Sequence, residues 1–125
     1  IGQEHNRTID MAIKRLIDAT MVTIVEKDSQ VDYVNISAGS SVDGCWSNIG
    51  RRWTSLYDNE MGLNPDCTVG STIHEFLHTI GFWHEQSRFD RDGFVNINNS
   101  YTEHVNYKKL ESADSDVGRY DYGSM

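Results

Sequence analysis

Five positions in the stretch IHEFLHTIGFWHEQ, Ile73 to Gln86, combine side chains and spacing suited to holding a metal ion. His74 and His78 are four apart, so on a helix they stand one above the other on the same face and can reach one cation. Glu75 follows the first histidine directly, close enough to touch a water on that cation without ligating it. Gly81 stops the helix in a left-handed turn, and the chain swings back so that His84 supplies a third nitrogen. Three imidazoles leave a tetrahedral zinc one open position, which is what a catalytic site needs.

A plainer reading competes. A lone H-E-x-x-H match arises by chance in long helices, and Thr72-Ile73-His74-Glu75 also fits a capping box in which Glu75 only bonds the helix start. The apolar positions Val69, Ile73, Phe76, Leu77 and Ile80 run through this segment, however, so the helix is expected to begin before Thr72. The full pattern H-E-x-x-H-x-x-G-x-x-H fixes five positions at once and is the metzincin form of the zinc-protease motif. Chance agreement at all five is remote.

The elements that must position these residues follow from periodicity. In residues 5–19, Ile9, Ala12, Ile13, Leu16 and Ile17 recur at helical spacing with charges opposite, predicting an amphipathic helix lying on a sheet. Met21 to Lys27 and Val31 to Ser37 read as strands. A Gly/Ser/Asp-rich stretch leads into CWSNIG and WTSLYD, two further short strands. Asn64-Pro65-Asp66 marks a turn, and Val69 to Gly81 reads as the helix that carries the motif. Beyond His84, SRFDRDGF reads as a charged loop whose first part, Ser87 to Asp92, is expected to be salt-bridged and solvated, VNI as a short extended piece and Thr102 to Leu110 as a short helix. The tail from Ser112 reads as irregular.

Composition excludes several classes of function. At 125 residues the chain suits one domain able to bury roughly two-thirds of its unfolded surface. With 11 Lys and Arg against 19 Asp and Glu, its charge of -8 disfavours nucleic acid. No apolar run approaches the roughly 18 residues of a membrane span, and no segment resembles a signal peptide. The chain begins at Ile1 rather than a start methionine, so a processed or longer parent is expected. Cys45 and Cys67 suit one disulfide in an oxidising compartment or two thiols in a reducing one. Sequons at Asn6, Asn35 and Asn98 agree with secretion. His5 and His104 fall outside the motif and read as surface residues; Tyr101, Tyr107, Tyr120 and Tyr122 read as packing or surface residues.

Three stretches, HEFLHTIGFWHEQSRFDRD (His74 to Asp92), DGCWSNIGR (Asp43 to Arg51) and YDYGSM (Tyr120 to Met125), together resemble the astacin family of zinc endopeptidases. Glu85, directly after the third histidine, is the mark that separates astacins from other metzincins. The resemblance implies one zinc ion held by His74, His78 and His84, with Glu75 as general base and then acid. It implies a Cys45–Cys67 disulfide tying the cleft-edge strand to the active-site helix. It also implies that CWSNIGR is the edge strand along which an extended peptide binds, so that Trp46 and Ser47 offer backbone partners by β-augmentation; on the residues alone, Trp46 reads equally well as ordinary packing.

In the family, Glu85 sits near the mature amino terminus. Ile1 aligns inside the domain, just before the first helix, so Glu85 is expected here without its partner. Met125 aligns just before the family's turn methionine, and Met21 stands where the family usually has a cysteine. The expected fold is therefore α+β, a zincin/metzincin-like upper subdomain: a twisted mixed β-sheet with a backing helix and an active-site helix, the lower subdomain missing. Residues 1–125 would form a single partial catalytic domain truncated at both ends. The implied function is a secreted, extracellular zinc-dependent endopeptidase acting on protein or peptide substrates. The rival is a catalytically inactive zinc-holding fragment or binding module. Cleavage-site preference and oligomeric state are not encoded legibly.

Overall fold

Helix α1, Gln3–Ala19, turns Ala12 and Leu16 inward, at 0% and 6% exposure, as the spacing of its apolar positions requires. Ile17, expected on the same face, sits at the margin of the stripe and is 40% exposed. The computed structural model describes residues 3–38, 44–51 and 59–124, which divide into the units Ile1–Gly81 and Phe82–Met125.

In the first unit the sheet has three strands, β1 (Val34–Ser37), β2 (Trp46–Ser47) and β3 (Asn59–Gly62), in the order β1-β3-β2. β1 runs parallel to β3 with Val34 opposite Asn59, and β2 runs antiparallel to β3 with Trp46 opposite Gly62. The mixed sheet is as expected. The expected strand WTSLYD lies outside the described residues, and β3 is the next described segment after it. Met21 to Lys27 is not a strand: Val22 and Ile24 are half-buried and Thr23 and Val25 exposed, so the alternation is there. What this segment lacks, among the described residues, is a ladder partner.

Helix α2, Val69–Thr79, is the second layer. The first helix, expected to lie on the sheet, packs chiefly against α2. Ala12, Leu16, Met61, Leu63, Cys67 and Phe76 form one buried cluster that draws on both helices and the central strand. Met61 and Leu63 are fully buried, each contributing about 1.5–3 kcal/mol by removal from water. Cys45 and Cys67 form a disulfide across 22 residues of chain, joining the start of β2 to the turn before α2. That turn is the predicted one: the Asn64 side chain accepts the Asp66 N–H at 2.8 Å, and its carbonyl accepts the Cys67 N–H at 3.1 Å.

The second unit has little regular structure: 3-10 turns at Glu85–Ser87, Arg91–Gly93 and Ala113–Ser115. The helix expected over Thr102 to Leu110 is instead a run of tight turns closed by Tyr101 to Asn98, His104 to Tyr101 and Tyr107 to His104 backbone bonds. Val105 is 80% exposed, so no apolar face is there to hold a helix down. The solvated loop expected over Ser87 to Asp92 is also corrected. Arg88 and Arg91 are 5% and 4% exposed, because neighbouring carboxylates and carbonyls take up their N–H groups.

Candidate metal centre

The helix that carries the motif starts at a cap earlier than Thr72. Thr68 accepts the Ser71 N–H at 3.1 Å through its side chain, while the Thr72 hydroxyl donates back to the Thr68 carbonyl at 2.9 Å. The alternative capping box at Thr72 and Glu75 is therefore not formed, and His74 and His78 fall inside the helix. Their rings stand edge to face, centroids 4.4 Å apart, His74 half-buried and His78 buried.

Gly81 takes a φ of +106°, the region that glycine enters without a Cβ penalty. Its N–H closes on the His78 carbonyl at 2.8 Å and ends the helix where the pattern predicts. His84 follows, with φ -63° and ψ 139°, leading into the turn Glu85–Ser87. One ligand nitrogen from each of His74, His78 and His84 lies within 4.8 Å of the other two. The three histidines are placed to bind one metal ion, and a neutral three-nitrogen set suits zinc and leaves a position open.

Glu75 is only 6% exposed. Burial pushes its carboxyl above the ordinary carboxylate range, and the neighbouring His78 draws it partly back.

Two connections that sequence reasoning missed brace this helix. The Ser47 hydroxyl lies 2.8 Å from that of Thr79, which in turn donates to the Glu75 carbonyl at 3.1 Å. The Gly50 N–H donates to the His78 carbonyl at 2.9 Å. Ser47 thus uses its side chain internally and has only its backbone to offer a ligand. Trp46 lays its indole on Gly62, where a Cβ would come within 2.2 Å of Nε1. Its side chain is a packing residue, 36% exposed. Among the described residues β2 pairs only with β3, and no described strand covers its outer backbone edge.

In the second unit Glu85 has hydrogen-bond partners other than the amino terminus, which lies outside the described residues. One carboxyl oxygen accepts the Asp121 N–H at 2.7 Å and an Arg88 N–H at 3.4 Å. The alternation Arg-x-Asp-Arg-Asp was the only sequence signal that could have exposed this buried ionic group.

Comparison with known proteins agrees with this geometry. The family model Astacin (Peptidase family M12A) matches residues 1–125. The chain is similar to zinc metalloproteinase dpy-31 of Haemonchus contortus, 36% identical over 97% of this chain and 23% of that protein. It is similar to human meprin A subunit beta, 44% identical over 54% of this chain and 9% of that protein. Among solved structures it is similar to high choriolytic enzyme 1, a hatching enzyme zinc-protease from Oryzias latipes. That likeness has a TM-score of 0.79 and 26% identity, covering 98% of this chain and 60% of the other. The chain thus spans less than two thirds of each of these three proteins.

Proposed function

The chain belongs to the astacin family of peptidases, and from that membership we propose that its protein is a secreted zinc endopeptidase hydrolysing peptide bonds in protein substrates. Residues 1–125 are part of one catalytic domain in this reading. The observation that carries it is the convergence of three imidazole nitrogens next to a buried carboxyl, Glu75, in a motif that leaves the metal a free position.

His74, His78 and His84 would hold the ion through one nitrogen each. When bound, zinc lowers the pKa of a coordinated water to about 7 and polarises a substrate carbonyl. Glu75 takes the proton of the attacking water and delivers it to the departing amine. Its desolvated setting supports this role, because burial brings a carboxyl closer to the pKa at which a proton can be both accepted and released. The outer edge of β2 supports substrate binding as an added strand, the backbone of Ser47 facing an extended peptide.

The test is hydrolysis of an internally quenched peptide by the full protein. Cleavage should stop when a chelator removes the metal and return on adding zinc. Zinc bound stoichiometrically without turnover would favour a binding module instead.

A further inference from the structure

Arg88 occupies the centre of the second unit, where an apolar core would ordinarily stand. Among the described residues of that unit the buried ones are Ser87, Arg88 and Arg91, so its organisation is polar. A guanidinium has five N–H donors in a fixed fork, and here each has an acceptor. Nε and Nη2 reach the two carboxyl oxygens of Asp90, both at 2.9 Å. Nη1 reaches Glu85 at 3.4 Å and the Val117 carbonyl at 3.0 Å, and Nη2 also reaches the Gly118 carbonyl at 3.2 Å. Asp116 adds a second tie between the same segments by accepting the Phe89 and Asp90 N–H groups at 3.0 and 3.2 Å.

The turn so fastened is the one that His84 opens. The His84 carbonyl accepts the Ser87 N–H at 2.9 Å, and the Glu85 carbonyl accepts the Arg88 N–H at 3.2 Å. The backbone of His84 is thus joined to Arg88 through a single 3-10 turn, and Arg88 is held from outside that turn by Asp90, Val117 and Gly118. A lysine could not reproduce this, being a point charge with three donors and no planar fork.

We propose that Arg88 is a positioning residue for the metal centre: through its five hydrogen bonds it fixes the turn from which His84 presents its imidazole. This rests on the reading of His84 as a ligand. Groups that orient a ligand from outside the coordination shell typically contribute about 10–100-fold to metal affinity. Arg88 acts through the backbone rather than on the ring, so the low end applies.

The experiment measures zinc affinity by chelator competition, and the visible absorption of the cobalt-substituted protein, in the full protein. The variants are Arg88→Lys, His84→Ala and the pair combined. Arg88→Lys should weaken zinc about tenfold and alter the cobalt bands. In the His84→Ala background it should add no further loss. Unchanged affinity and spectrum in Arg88→Lys, where His84→Ala alone weakens binding, would overturn the proposal; so would an equal loss in both backgrounds, which marks a merely structural role. If His84→Ala binds zinc as the parent does, the ligand assignment itself fails and the proposal with it. Should Arg88→Lys not fold, Asp90→Asn leaves Arg88 its bonds to Glu85, Val117 and Gly118 and is held to the same outcomes.

Discussion

The hydroxyls of Ser47 and Thr79 lie 2.8 Å apart, so the edge strand is hydrogen-bonded to the last turn of the helix that carries His74 and His78. Thr79 passes the connection on to the Glu75 carbonyl. One side chain of the strand proposed to receive substrate is therefore coupled to the backbone of the proposed base.

Ser47→Ala should cost about 1 kcal/mol of stability, the typical net value of one part-buried hydrogen bond. Thr79→Val should cost more, because it also removes the bond to Glu75. The double variant should fall short of the sum by about 1 kcal/mol if the two hydroxyls act on each other. Chemical denaturation of all three variants measures this, and strict additivity would show the pair to be independent.

The disulfide between Cys45 and Cys67 closes 22 residues that include all of β2 and β3. A loop of this length should contribute about 3 kcal/mol by restricting the unfolded chain. The Cys45→Ala, Cys67→Ala double variant should melt well below the parent under non-reducing conditions. Adding a reductant should lower the parent's melting temperature and leave the variant's unmoved.

Acid should strike the second unit through Asp90. The hydrogen bond from Arg88 holds the Asp90 carboxyl below its ordinary value, with further help from the charge of Arg88. A carboxyl depressed in the fold stabilises it fully above the unfolded value of about 3.9, and that stability is lost as pH falls through the folded value. Asp92, held down by Lys109 and then Arg91, acts in the same direction. Melting temperatures followed from neutral pH down to about pH 3 should fall less steeply in Asp90→Asn than in the parent. Parallel curves would remove Asp90 from the acid response.

What could be read in advance was what local spacing encodes. The cap region, length and glycine stop of α2 follow from a 3.6-residue apolar repeat and one left-handed position, and the three histidines come with them. The first helix and the Asn64–Asp66 turn were legible for the same reason. β3 was not, because Asn59–Gly62 holds no β-branched residue and owes its strand state to partners on both sides. The reverse error occurred at Met21 to Lys27, where strand-forming residues alternate correctly but, among the described residues, meet no strand to pair with. Arg88 and Arg91 were misread because charge composition reports sign and number, whereas burial depends on whether every N–H finds an acceptor.

Glu75→Gln isolates the proposed chemistry from the fold. The amide is nearly isosteric and cannot take a proton from water. Burial already disfavours the charged carboxylate, so a neutral replacement should not lower the melting temperature of the metal-free protein at neutral pH. With His74, His78 and His84 untouched, zinc stoichiometry should stay at one ion per chain. Peptide hydrolysis by the full protein should then fall by about 10²–10⁴-fold, the range general acid–base groups supply. Metal content and kcat/KM are to be measured on the same preparation, since the two together decide the case. Loss of zinc along with activity would assign Glu75 to holding the site together, and retained zinc with near-parental turnover would require another base.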